Sequence, residues 1–293
     1  METPTPLEQA IQRTVTWFSL FEIPVTVFEI WKWMLSPDRV YTLEEVYEAV
    51  VESDGTKVPS RQARFLDATR KYKKLRRAVW YLRFVPGVEA IAVGNTLAWW
   101  NTRPDSDIDL FIVTRPGMIW LARLFCVTPF ALLGKRPGRS RIDPFCFSFF
   151  VTSDALDLSS LRLPDGDPYL AYWTSSLVPV FDRSGVWERF KAENSWTDSY
   201  LPHAKTGNHP LTPPSKGGEQ GFLGHKLPSF SRRGWGWLLE RLARNLQIRR
   251  LPKHIKALMN KDSRVIVTDH MLKFHDNDRR AEYRDMLEVK CKM

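Results

Sequence analysis

Two aspartates separated by a single isoleucine, Asp107-Ile108-Asp109, stand at the head of the apolar run Ile108 to Val113. In a strand, residues two apart lie on one face, so both carboxylates point the same way. Ile108, Leu110 and Ile112 then point to the other face, into a core, while Phe111 and Val113 continue the carboxylate face. Two like charges this close repel unless a cation lies between them, and carboxylates suit a hard ion that also takes phosphate oxygens, Mg²⁺ or Mn²⁺. Just upstream, Gly94-Asn95-Thr96 follows the apolar run Val88 to Val93. A glycine lets the backbone come close to a ligand. Backbone N–H groups at a helix start attract phosphate. Asp107 and Asp109 are therefore the candidate metal and catalytic residues. Gly94, Asn95 and Thr96 are the candidate phosphate binders, and a nucleoside triphosphate is the implied ligand.

Several elements must position these residues. Val88 to Val93, Ile108 to Val113 and Phe145 to Val151 are short apolar runs that read as buried strands. The apolar segment Met118 to Leu133 reads as a helix between the second and third runs. It is too short to span a bilayer and contains Arg123, so no membrane association is expected. This alternation indicates an α/β or α+β core. Upstream, residues 60–83 read as a long helix with nine basic residues, Arg61 and Lys71 among them. Its apolar stripe is Leu66, Leu75, Val79 and Leu82. Residues 7–35 show helical periodicity twice, interrupted at Pro24. Thr26 with Glu29 forms a capping-box signature, and Thr42-Leu-Glu-Glu opens a third helix before the Asp54-Gly55 turn. Residues 1–58 thus suit a helix-turn-helix or winged-helix module, and 59–202 form the core with its basic helix. Residues 167–196 read as helical. Residues 203–233, rich in Pro, Gly, Lys and Ser, read as a flexible linker or insertion. Residues 234–293 read as a C-terminal helical region.

The segments IAVGNTLA and RPDSDIDLFIV resemble the signature of the polymerase-β nucleotidyltransferase superfamily. There, a glycine and a small polar residue end one strand and a D-hydrophobic-D pair begins the next. The chain also resembles large bacterial nucleotidyltransferase-domain proteins through FEIPVTVFEIW, DPYLAYW and AENSW. The resemblance implies an α+β fold with a polymerase-β-like nucleotidyltransferase core, a small mixed sheet with flanking helices. It implies transfer of a nucleoside monophosphate from an NTP to an acceptor hydroxyl, with pyrophosphate leaving. Asp107 and Asp109 would hold two metals about 4 Å apart. Asn95, followed by Thr96, stands where that family usually has serine. The family also uses a third carboxylate on a later strand, for which Asp143 is the first candidate and Asp154 the second.

The remaining features narrow the class. The chain of 293 residues carries a net charge of +10, concentrated in residues 221–293, where 17 Lys/Arg face 8 Asp/Glu. That balance fits contact with something acidic, whether nucleic acid, nucleotide phosphates or anionic lipid, or else a solvated basic surface. Cys126, Cys146 and Cys291 are odd in number and widely spaced, which disfavours a disulfide framework or structural zinc site and fits a cytoplasmic protein. The opening METPTPLEQAIQRT lacks the pattern of a signal peptide. No HExxH, P-loop or GxGxxG motif occurs. Trp99-Trp100 reads as core before it reads as a base-stacking platform, and Arg123 as a snorkelling side chain as readily as a phosphate contact. A metal-dependent nucleotidyltransferase is the leading expectation, its acceptor unidentified. The other is an inactive nucleotidyltransferase fold that binds nucleotide or nucleic acid as a regulator.

Overall fold

The computed structural model describes residues 4–51, 61–140, 142–183, 185–204 and 235–292. Its centre is a mixed six-stranded sheet in an α+β arrangement, ordered β4-β1-β2-β3-β6-β5. The strands are β1 Val88–Val93, β2 Ile108–Thr114, β3 Phe145–Thr152, β4 Val178–Asp182, β5 Val265–Val267 and β6 Met271–Phe274. Strand β1 runs antiparallel to both β2 and β4, β2 and β3 are parallel, and β6 runs antiparallel to β3 and β5. The parallel β2–β3 pair needs a crossover. Helix α6, Ile119–Leu132, supplies it.

The two faces of the sheet are buried by different helices. Ile91, Val93, Ile108, Leu110, Ile112 and Phe147 pack with α4 (Arg61–Leu82), α6, α9 (Trp235–Arg250) and α10 (Lys253–Leu258). Ala90, Ala92, Phe111, Val113 and Phe149 pack with α7 (Pro168–Ser176) and α8 (Val186–Glu193). The alternation read along residues 108–113 is therefore the alternation observed, because a period of two is what a two-sided buried strand imposes. On α4, Leu75 and Leu82 are buried and Val79 partly so, but Leu66 is 61% exposed.

The N-terminal helices are α1 Pro6–Ser19, α2 Val27–Lys32 and α3 Leu43–Val51. The Thr26–Glu29 capping box is present in both directions, at 2.9 Å from the Thr26 N–H to Glu29 and 3.3 Å in return. Thr42 and Glu45 make the same exchange at the start of α3. These helices share a second aromatic cluster with Ala171 and Tyr172 of α7 and with Leu287 of α11, Arg280–Lys292. The turn and any wing after α3, at residues 52–60, lie outside the described residues.

Two expectations are corrected. Residues 167–196 are not continuously helical: Leu177 breaks α7, and β4 follows as the sheet's edge strand. Pro179 within it is tolerated because an edge strand leaves one side unpaired. Residues 234–293 are not purely helical either, since β5 and β6 extend the central sheet from β3. Three- and four-residue strands carry too few alternations to register as a period. Residues 205–234, nearly all of the expected linker, lie outside the described residues. His203 at its start is fully buried, and its Nε2 accepts the Tyr41 N–H at 3.0 Å. Among the described residues, no helix is long and apolar enough to cross a membrane.

Candidate active site

The turn between β1 and β2 brings the motif residues together. Asn95 begins the single-turn helix α5, Asn95–Ala98, with Gly94 as its cap. Gly94 is in an extended conformation (φ −122°), whereas Asn95 occupies the left-handed region (φ 53°). Asparagine tolerates that region better than most residues. Gly94 is needed for space instead: a Cβ there would meet Trp173 Nε1 at 3.1 Å and Leu177 Cδ2 at 3.2 Å, both from the α7 side. Its N–H is also used, donating to the Asp109 carbonyl at 3.2 Å. Gly94 therefore has a packing role toward Trp173 and Leu177 as well as a place in the lining of the cavity beside Asp109. Thr96 is half-buried on α5, and its carbonyl accepts the Asn101 N–H at 3.0 Å.

Asp107 and Asp109 sit side by side at the start of β2, both partly buried. Burial, and then the charge of Asp109, push the Asp107 carboxyl above its ordinary range. Burial likewise raises Asp109, against the hydrogen bonds it accepts from Asn95 and Cys146. Among the described residues no cationic side chain lies in ion-pair range of either carboxylate; Lys71 acts on both only from a distance.

The partner across the strand pair is Cys146, which stands opposite Asp109 in the parallel β2–β3 register. One ligand atom from each of Asp107, Asp109 and Cys146 lies within 4.8 Å of the other two. Burial, then the Asp109 charge, hold the thiol up at about 12, against the opposite influence of the Ser148 hydroxyl. Ser148 Oγ lies 3.2 Å from Nε2 of His275, just beyond β6. Burial pushes His275 down to about 4, so its ring is neutral near pH 7. Its Nδ1 is shielded from solvent and, among the described residues, without a hydrogen-bond partner. Asn95, Asp109, Cys146, Ser148 and His275 thus follow one another as polar neighbours, with Ser148–His275 the hydrogen-bonded contact.

Two spaces meet at the pair. A cavity of about 10 Å³, the size of one water, is lined by Gly94, Asn95, Asp109, Ser148, Trp173 and His275 among others. On the Asp107 side an open cleft of about 440 Å³ is lined by Asp105, Asp107, Pro137, Gly138, Arg139, Ser140 and Pro144. That volume is in the range of small-molecule sites. Two carboxylates without a cation in ion-pair range among the described residues, beside a thiol, form a donor set that fits a divalent cation.

Asp143 does not belong to this group. The residue is left-handed (φ 47°), and its fully buried carboxylate turns toward α4. There it meets Lys74, Arg70 Nη2 at 2.9 Å and Lys71 Nζ at 3.5 Å. Three cations hold it as a structural counter-ion. Asp154 lies past the far end of β3, 3.5 Å from His270 Nδ1. Trp99 packs on Phe18 and Trp33, and Trp100 stacks on Tyr72 with ring centroids 4.6 Å apart, so both are core. Arg123 is committed to Gln247 at 2.6 Å and to the Phe274 ring.

Sequence reading missed Cys146, Ser148, His275 and Arg139. Cys146 sits inside the aromatic run FCFSFFV, where it reads as one more small apolar residue. His275 follows β6, the short strand that carried no sequence signal. Compared with protein-family models, curated proteins and solved structures, the chain matches none.

Proposed function

We propose that the chain is a metal-dependent nucleotidyltransferase of the polymerase-β kind, moving a nucleoside monophosphate from an NTP to an acceptor hydroxyl. The observation that carries this reading is the pair of adjacent Asp107 and Asp109 carboxylates, without a cationic partner in ion-pair range among the described residues, with Asp107 on the wall of an open cleft of about 440 Å³. Bound Mg²⁺ or Mn²⁺ would supply charge neutralisation for the triphosphate. Asp107 and Asp109 would hold it, and Asn95 would orient Asp109 through its amide. Arg139, exposed on the cleft wall, provides a guanidinium suited to phosphate oxygens. The strand arrangement is in keeping with the resemblance, since the motif turn joins antiparallel β1 and β2 and the next strand in the chain runs parallel to β2.

One observation favours a second reading, in which the site binds nucleotide without turnover. Among the described residues no third carboxylate joins the pair, and a thiol occupies the facing position. Incubation of the full chain with each labelled NTP, Mg²⁺ or Mn²⁺ and cell extract separates the two. Label transfer with pyrophosphate release, lost in Asp107→Asn and Asp109→Asn, supports the transferase. Metal-dependent NTP binding without release supports the binding protein. Absence of both removes the nucleotide site.

A further inference from the structure

The residue facing Asp109 across the β2–β3 pair is a thiol, in a position where an oxygen ligand would serve a hard cation. We propose that Cys146 is itself a metal ligand, completing an Asp107–Asp109–Cys146 set that selects a thiophilic divalent cation such as Zn²⁺, Co²⁺ or Cd²⁺ over Mg²⁺. The inference rests on the reading of the aspartate pair as a metal site and names the ion that site prefers.

Four observations carry it. The three ligand atoms already converge, all within 4.8 Å of one another, Asp109 and Cys146 on two directly paired strands and Asp107 one residue before the first of them. Paired strands fix side-chain positions more firmly than a loop does. Among the described residues no other acid joins the converging atoms: Asp143 is held by three cations, Asp154 is at the opposite end of β3, and Asp105 lines the cleft beside Asp107 without reaching the set. The sulfur is also supported from behind. Ser148, two residues further along β3, acts on the thiol and contacts His275 at 3.2 Å, the kind of outer layer that orients a metal ligand. His275 lines the same cavity as Asp109 and keeps one buried ring nitrogen without a partner among the described residues.

The donor chemistry sets the preference. Mg²⁺ requires oxygen ligands in near-octahedral geometry, and sulfur is a poor substitute. Thiolate selects softer ions, and three protein ligands with one open position is the arrangement of a catalytic zinc site. Charge also balances. Coordination removes the thiol proton, which passes to solvent, leaving three anionic ligands around a divalent ion. Lys71 acts electrostatically on both carboxylates and Arg136 on Cys146, so the residual negative charge is offset.

The test uses the full chain, stripped with chelator and titrated with Cd²⁺ and with Co²⁺. We expect thiolate-to-metal charge-transfer absorbance that saturates at one equivalent, and release of about one proton per ion in buffers of different ionisation heat. Cys291→Ser should retain the absorbance. Cys146→Ser should lose it and weaken Cd²⁺ binding by at least about tenfold, with Mg²⁺ binding little changed. Cys146→Asp should instead raise Mg²⁺ affinity. If Cys146→Ser is poorly folded, Cys126→Ala/Cys291→Ser, which keeps Cys146 as its one thiol, must still show the absorbance, and its loss there overturns the role of Cys146. Metal binding without charge transfer, or charge transfer surviving in Cys146→Ser, overturns the role of Cys146. The aspartate site itself then stands as long as Asp107→Asn and Asp109→Asn each abolish Mn²⁺ binding. Unchanged Mn²⁺ binding in both of those variants overturns the metal site altogether.

Discussion

Two groups of acids lie on either side of Lys71, and they are treated in opposite ways. Asp67 and Asp143 are surrounded by cations from α4: Arg70 touches both, at 2.6 and 2.9 Å, and the fully buried Lys71 lies 3.4 and 3.5 Å away. Asp107 and Asp109 have no such partners among the described residues and are pushed toward the protonated form. Within the first group, burial raises Asp67, but hydrogen bonds from Thr102 and Arg70 outweigh it and its carboxyl lies below the ordinary range. The difference shows what separates a structural acid from one kept for a ligand. It is the presence of a compensating cation, not burial and not proximity to a motif. A carboxylate left beside another without a counter-charge is unfavourable in the free protein and becomes favourable when a cation arrives.

The contrast is sharpest at Asp143. Asp143→Ala leaves Lys71 buried with one fewer anion, which costs about 3–5 kcal/mol. Urea denaturation should show that loss, while isothermal titration of the folded protein should find metal-dependent NTP binding unchanged. A stable Asp143→Ala protein that no longer binds would reverse the assignment of the two groups. Next in size, Asp107→Asn and Asp109→Asn should each weaken metal-dependent NTP binding on the order of 100-fold, with no drop in thermal midpoint in chelator. A lower midpoint in chelator would mean that these carboxylates stabilise the fold as Asp143 does.

Gly94 tests whether the turn is shaped by ligand or by packing. Gly94→Val forces a branched side chain against Trp173 and Leu177, where a Cβ already sits at 3.1 and 3.2 Å. Overpacking of this kind costs about 1–3 kcal/mol. Trp173→Leu in the same chain should recover part of the loss, read as a higher denaturation midpoint than Gly94→Val alone. If the double variant regains nothing while NTP binding is lost in both, close approach of a ligand is the reason for the glycine.

The legible parts of the molecule are those where one physical constraint acts on many consecutive residues. The β1, β2 and β3 runs and the caps at Thr26 and Thr42 stand out because burial on two faces and unsatisfied helix N–H groups leave local marks. The face shared by Asp107, Asp109 and Phe111 follows from the period alone. The third member of the site does not. Cys146 is set by the register of two strands joined through a helix, which no spacing within either strand encodes. Asp143 misled because proximity to β3 in sequence says nothing about which way a left-handed residue turns its side chain. Lys71 is one of eight basic residues on α4. Several of these are internal: Arg61 binds Glu29, Arg64 reaches Glu22 and Asn101, and Lys71 holds the carbonyls of Arg103 and Ser106. The helix is therefore less a nucleic-acid face than its composition suggests. The first three helices carry three basic residues against seven acidic over residues 4–51, which also disfavours phosphate contacts there.

The smallest effect, and the most discriminating in sign, is the pH dependence of the two groups in the absence of metal. Asp67 is lowered in the fold, so between its folded value and the ordinary aspartate value the unfolded chain binds more protons. Its contribution is complete above the ordinary value and is lost as pH falls through the depressed one. Asp107 and Asp109 are raised, so the folded chain holds the extra proton and stability falls as pH rises from the ordinary value through the elevated ones. Asp67→Asn should accordingly lower the midpoint at pH 7, by about 1 kcal/mol for a charge-assisted hydrogen bond replaced by a neutral one. The deficit should shrink toward pH 3. Asp109→Asn should raise the midpoint at pH 7 in chelator, and that gain should also vanish in acid. Thermal melts of the three proteins across pH 3 to 8, with and without Mn²⁺, read both signs. Added Mn²⁺ should stabilise the wild type and Asp67→Asn alike and leave Asp109→Asn where it was, because only the uncompensated pair has a place for the ion.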